Sequence, residues 1–140
     1  ADAFDTIVAP KLKESGRRVA YILVDALRYE LGVALEKQLR DDGQVEMQAA
    51  CAQLPSVTPV GMASLLPGAG TDLRIDKQGN DYVVMLGDVK LKNVSNRIAV
   101  LKNRYGARFA EVKLNDLIKP RYKIETSVEL LAVRTNDLDD

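Results

Sequence analysis

The sequence predicts an α/β fold, a parallel or mostly parallel sheet flanked by helices. Two adjacent features carry this reading. Val19-Ala20-Tyr21-Ile22-Leu23-Val24 is a short, continuous apolar run bounded by Arg17-Arg18 and Asp25, which suits a strand buried on both faces. A helical period follows from about Arg28 to Asp41. Leu27, Leu31, Ala34, Leu35 and Leu39 recur at helical spacing, with Glu30, Glu36, Lys37 and Arg40 elsewhere around the wheel. Gly43 suits the stop. Strand then helix is the opening unit of a parallel sheet.

The remaining elements follow in order. Gln44 to Leu54 reads as a second strand ending at Pro55. Thr58 suits a helix N-cap and Pro59 the first helical position, with Pro67-Gly68-Ala69-Gly70 ending that helix. Asp72–Ile75 and Tyr82–Leu86 are strand candidates around a turn-like Lys77–Asp81, the pattern of a hairpin. Asn93 to Tyr105 is a long helix, with Val94, Ile98, Leu101 and Tyr105 on one face and Gly106 closing it. A short helix is expected around Glu111–Ile118, halted by Pro120. Ser127 to Arg134 reads as the last strand. Without repeats or a clear linker, residues 1–140 read as one domain, with residues 1–14 a linker or a helix from the preceding region.

Composition narrows the function classes. The 140 residues are enough for one core, and 20 basic residues balance 20 acidic ones. A neutral total gives no electrostatic argument for nucleic acid or a membrane surface. No apolar run approaches the ~18–20 residues that span a bilayer. Cys51, the single cysteine, excludes an internal disulfide and fits a reducing, cytoplasmic setting. Its apolar neighbourhood reads as that of a buried small hydrophobe. No histidine is present, so neither Ser-His-Asp catalysis nor a His-rich metal site can be built within the chain. Ala1 is not an initiator methionine, and the last residues run straight out of an apparent strand, so the chain reads as a piece of a longer protein. Between Lys90 and Lys123, ten basic residues face only Glu111 and Asp116. That run is either the solvated face of helices or a surface for a phosphate-bearing polymer.

Two residues could carry chemistry. Asp25 lies at the carboxyl end of the first strand, where open α/β sheets bind their ligands. A carboxylate there is a hard oxygen donor for a divalent cation; the alternative is a cap for the next helix. Thr58 opens a helix, whose backbone N–H groups and dipole favour an anion. A metal-activated hydroxyl there could attack phosphorus; the alternative is an ordinary N-cap. Two successive strand-to-helix turns would bring both residues to one sheet edge, within reach of one metal ion.

Val24-Asp25-Ala26-Leu27-Arg28-Tyr29-Glu30 resembles the Asp-x-x-Arg-Tyr/Phe-Glu signature that opens the PglZ domain of the alkaline-phosphatase superfamily. Leu54-Pro55-Ser56-Val57-Thr58-Pro59-Val60-Gly61-Met62-Ala63-Ser64-Leu65-Leu66-Pro67-Gly68 resembles the family's second signature, Pro-Ser-x-Thr followed by Gly-Met and Leu-Leu-Pro. Val133-Arg134-Thr135-Asn136-Asp137-Leu138-Asp139 resembles its strand ending in Asn-x-Ile-Asp. The resemblance covers roughly residues 15–140. It implies a truncated alkaline-phosphatase-like fold and the first part of a metal-dependent phosphoesterase from a phage-defence (BREX) or regulatory protein. By resemblance, Asp25, Thr58 and Asp139 would ligate the metal, zinc being typical of the superfamily, and Thr58 would be the nucleophile. Arg28 and Glu30 would organise the strand–helix turn, Ser56 would support the Thr58 segment, and Gly61 and Gly68 would allow close backbone approach. Asp139 is alternatively a surface acid. The implied partners are a phosphoester substrate and other phage-defence proteins.

The family completes its site with later Asp and His residues that this chain lacks. The segment alone is therefore expected to bind no metal and to hydrolyse nothing. Two rival readings stay open: a non-catalytic α/β module for protein or nucleic-acid binding, and a small α/β domain in which Asp25 and Thr58 are only caps.

Overall fold

A computed structural model describes residues 2–14 and 16–135. The chain opens with a π-helical segment, Phe4–Val8, that runs into α1 (Ala9–Leu12). β1 (Val19–Val24) follows, then α2 (Tyr29–Leu39), α3 (Thr58–Ala63) and α4 (Ala69–Asp72). Next come β2 (Leu73–Gln78), β3 (Asp81–Leu86), β4 (Val89–Lys90) and α5 (Val94–Tyr105). A 3-10 turn over Gly106–Arg108 leads into β5 (Phe109–Lys113), α6 (Leu114–Leu117) and β6 (Leu130–Thr135).

Two sheets result. β1, β6 and β5 form a parallel sheet in that order, with β6 in the middle. β2, β3 and β4 form an antiparallel sheet. The predicted α/β class with a parallel sheet flanked by helices is what the chain adopts. The predicted hairpin is also present. Its turn is only Gly79-Asn80, between Gln78 and its partner Asp81. Gly79 takes φ +63° at the first turn position, the left-handed conformation a two-residue hairpin of this kind asks of glycine.

The central strand explains where the core lies. Leu130 and Ala132 on one face of β6 join Phe4, Val8, Leu101 and Phe109. Leu131 and Val133 on the other face join Val112 and Val128, with Leu114 and Leu117 of α6 packed against them. The N-terminal helical segment is thus part of the main core. Phe4 has no exposed surface, and its ring meets Tyr21 edge-on at 5.7 Å.

Several expectations are corrected. β1 is not buried on both faces: Tyr21 turns inward, while Ile22 on the opposite face stays 54% exposed because no described element covers it. α2 buries none of its residues: its leucines at positions 31, 35 and 39, and Leu27 just before it, lie 42–46% exposed. Residues 44–54 form no strand. A strand exists only where a neighbouring backbone supplies its hydrogen bonds, and no described strand pairs with this stretch. Cys51, expected to be buried, is accordingly exposed. The expected helix over Glu111–Ile118 begins as strand β5 and becomes helix only at Leu114. Phe109 and Val112 bury their side chains against β6's two faces, and this pairing outweighs local helical preference.

Candidate functional site

The carboxyl ends of all three parallel strands open on one cleft of about 430 Å³. Leu23 and Asp25 come from the end of β1, Lys113 from β5, and Arg134 and Thr135 from β6. α5 adds Val94, Arg97, Ile98 and Leu101, and α3 adds Thr58 and Met62. This is where the crossover geometry of a parallel sheet leaves room for a ligand.

Asp25 and Thr58, expected at one site, both line this cleft. Their route there differs from expectation. Asp25 caps no helix. Its Oδ1 accepts a hydrogen bond from the Ala26 backbone N–H at 2.9 Å, in a turn where Ala26 takes φ +58°. α2 starts four residues later, with Arg28 at its N-cap. Thr58 follows an irregular stretch and not a strand. It is the first residue of α3, whose N-cap is Val57, and it makes no cap hydrogen bond. α3 has six residues and sums few peptide dipoles, so the expected dipole contribution is small.

The turn between α3 and α4 is held against the rest of the fold through one backbone carbonyl and one backbone N–H. The Tyr21 hydroxyl of β1 donates to the Leu65 carbonyl at 2.8 Å. The Gly68 N–H donates to Asp5 Oδ2 of the N-terminal helical segment at 2.8 Å. Tyr21 therefore links the strand that ends at Asp25 to the helical segment that begins at Thr58. Burial pushes its phenol well above the usual range.

The supporting residues divide. Arg28 and Glu30 are exposed and make no ion pair among the described residues. Ser56 is exposed as well. A Cβ placed on Gly61 would meet nothing within 4 Å, so no described part of the chain approaches it closely. Gly68 does need glycine, at φ +79°. Asp139 lies outside the described residues.

Three cations complete the lining: Arg97, Lys113 and Arg134. Arg97 is half-buried. Burial lowers its pKa below the usual guanidinium value; Asp25 opposes that shift and Arg134 adds to it. Arg134 Nε lies 3.0 Å from Glu111 Oε2. That contact is an ion pair without hydrogen-bond alignment, since the same buried Nε has no hydrogen-bond partner. Sequence reading placed Arg97 and Lys113 only within a long basic run and gave Arg134 no role. The rest of that run is partly spent elsewhere: Lys119 pairs with Asp116 at 2.9 Å, and Arg108 reaches Glu129 at 3.3 Å.

A protein-held zinc ion takes three or four donors from His, Cys, Asp and Glu. No group of three such side chains could hold a metal among the described residues. The cleft offers one carboxylate and the hydroxyls of Thr58 and Thr135 beside three cations. These residues alone do not fit a divalent metal.

The fold and cleft define the class: an α/β domain with a cleft at the carboxyl ends of a parallel sheet. The chain belongs to the family described as the BREX system PglZ alkaline phosphatase-like domain, whose model matches residues 3–138. That match begins earlier than the motif resemblance and includes the N-terminal helical segment. The chain is 30% identical over 119 residues to the alkaline phosphatase-like protein BrxZ of Escherichia coli O9:H4 (strain HS), covering 83% of this chain and 13% of that protein. It is 33% identical over 90 residues to the alkaline phosphatase-like protein PglZ of Bacillus cereus (strain H3081.97), covering 63% of this chain and 10% of that protein. The chain thus spans about an eighth or less of the length of these relatives. No solved structure matches it. No helix among the described residues is long and apolar enough to cross a membrane.

Proposed function

We propose that the parent protein is a metal-dependent phosphoester hydrolase of a phage-defence system, and that this segment supplies the first part of its site without completing it. The observation that supports this is the meeting of Asp25 and Thr58 in one cleft at the carboxyl ends of the parallel strands. In this reading Thr58 is the nucleophile. Asp25, Thr58 and Asp139 are the segment's share of a metal site, zinc being the metal the family resemblance favours, and the remaining donors come from elsewhere in the parent. The parent works in the cytoplasm beside other defence proteins.

The donor count supports the reading that the segment alone is inactive. An attacking hydroxyl must lose its proton. The described cleft holds one carboxylate, and Asp25 cannot be both a metal ligand and the proton acceptor. The test is hydrolysis of bis(p-nitrophenyl) phosphate by the full-length parent and by the 140-residue chain. Turnover is expected only in the parent, abolished by a chelator, and reduced at least about 100-fold by Thr58→Ala or Asp25→Asn. Thr58-dependent turnover by the chain alone would sink the inactive-segment reading. Undiminished turnover in Thr58→Ala parent would remove Thr58 as nucleophile.

A further inference from the structure

We infer that Arg97, Lys113 and Arg134 form an anion-holding wall that positions the non-bridging oxygens of the substrate's phosphate beside Thr58. The inference rests on the phosphoester reading above and gives a role to residues to which the family resemblance assigns none.

Three separate elements deliver these cations to one place. Arg97 comes from the first turn of α5, Lys113 from the end of β5 and Arg134 from the end of β6. The chain as a whole is electroneutral, yet this cleft gathers three cations beside the Asp25 carboxylate, with Glu111 pairing one of them, Arg134. Neither Arg97 nor Lys113 makes an ion pair or a side-chain hydrogen bond among the described residues. Burial of the Arg97 guanidinium costs free energy, which the nearby Asp25 charge offsets only in part. Arg97 and Arg134 also repel one another, and the same burial and repulsion lower the pKa of Arg97. An anion between the two removes both penalties.

The geometry also suits the task. Glu111 anchors Arg134 at 3.0 Å, so that side chain is held before any ligand arrives. A planar guanidinium offers parallel N–H donors that match two oxygens of one phosphate. Much of the remaining lining is apolar, including Leu23, Met62, Leu66 and Leu101, and no aromatic ring lines the cleft among the described residues. Low polarity around the wall strengthens each charge contact, and nothing there stacks on a base. Recognition therefore centres on the phosphate itself.

The test uses the full-length parent with inorganic phosphate as probe. Phosphate binding is measured by calorimetry at constant ionic strength, and its inhibition of bis(p-nitrophenyl) phosphate hydrolysis is measured beside it. Arg97→Ala is expected to weaken phosphate binding about 10–100-fold, the loss of a charge-assisted contact. Arg97→Lys keeps the charge but loses the fork, and should fall between. Lys113→Ala, an exposed change that leaves the core intact, should weaken binding by a smaller factor. Inhibition should be competitive with the ester. Unchanged phosphate affinity in Arg97→Lys, Arg97→Ala and Lys113→Ala alike overturns the wall, and so does non-competitive inhibition. Arg97-dependent phosphate binding in a parent without any turnover leaves the wall standing and refutes the hydrolase reading instead.

Discussion

Phe4 tests whether the first dozen residues belong to the domain. The side chain has no exposed surface. Its ring lies 5.7 Å from Tyr21 and 6.1 Å from Tyr105, centroid to centroid. It packs in the cluster that contains Leu101, Phe109 and Leu130. Phe4→Ala removes those ring contacts and leaves a cavity walled by strand and helix side chains. Buried Phe→Ala changes cost about 3–5 kcal/mol. A domain of this size has about 5–15 kcal/mol in all, so the variant loses roughly a fifth or more of typical stability. At about 2–4 °C per kcal/mol, its melting temperature should fall by roughly 6–20 °C. Ile7 of the same helical segment is 43% exposed, and Ile7→Ala should cost under about 1 kcal/mol. The assay is urea unfolding followed by far-ultraviolet circular dichroism, since the chain contains no tryptophan. The expected signature is a lower midpoint with an unchanged slope. If Phe4→Ala costs no more than Ile7→Ala, the N-terminal segment is not part of the core, and the domain begins near β1.

Tyr21→Phe removes the hydroxyl that holds the Leu65 carbonyl and should cost about 0.5–1.5 kcal/mol. It should also change the alkaline limb. Burial raises the phenol pKa in the folded state, so this contribution is fully present below the ordinary tyrosine pKa of about 10 and is lost as pH rises above it. Tyr21→Phe should flatten that loss in denaturation midpoints measured from pH 9 to 11; an identical slope in both proteins would contradict the assignment. Leu31 and Leu35 on the bare face of α2, 46% and 45% exposed, should tolerate replacement by Gln with changes within about 0.5 kcal/mol each. The double variant of the isolated chain should self-associate less in sedimentation velocity than the parent sequence, because exposed apolar stripes promote association. A loss above about 2 kcal/mol would show instead that this face is packed.

Much of the fold was legible because the signals were local. The apolar run at Val19–Val24, the leucine period of α2 and the turn around Gly79-Asn80 each declare an element without reference to the rest of the chain. Asn93 does the same for α5: its Oδ1 accepts from the Asn96 N–H, while Asn96 Oδ1 accepts from the Lys92 N–H, both at 2.9 Å. Residues 44–54 and 109–113 went the other way. Both are short stretches in which strand depends on a partner. The first has no described partner, while the second lies beside β6.

The same division runs through the site. Sequence alone determined that Asp25 ends a strand, that Thr58 opens a helix, and that no histidine could complete a site within these residues. It could not determine that both residues face one cleft, because the stretch before Thr58 forms no strand and so carries no sheet register to relate them. Nor could it single out Arg97, Lys113 and Arg134 from the chain's other basic residues. Their shared position depends on three parallel strands ending together with α5 laid across those ends, and only the folded chain brings them to one wall.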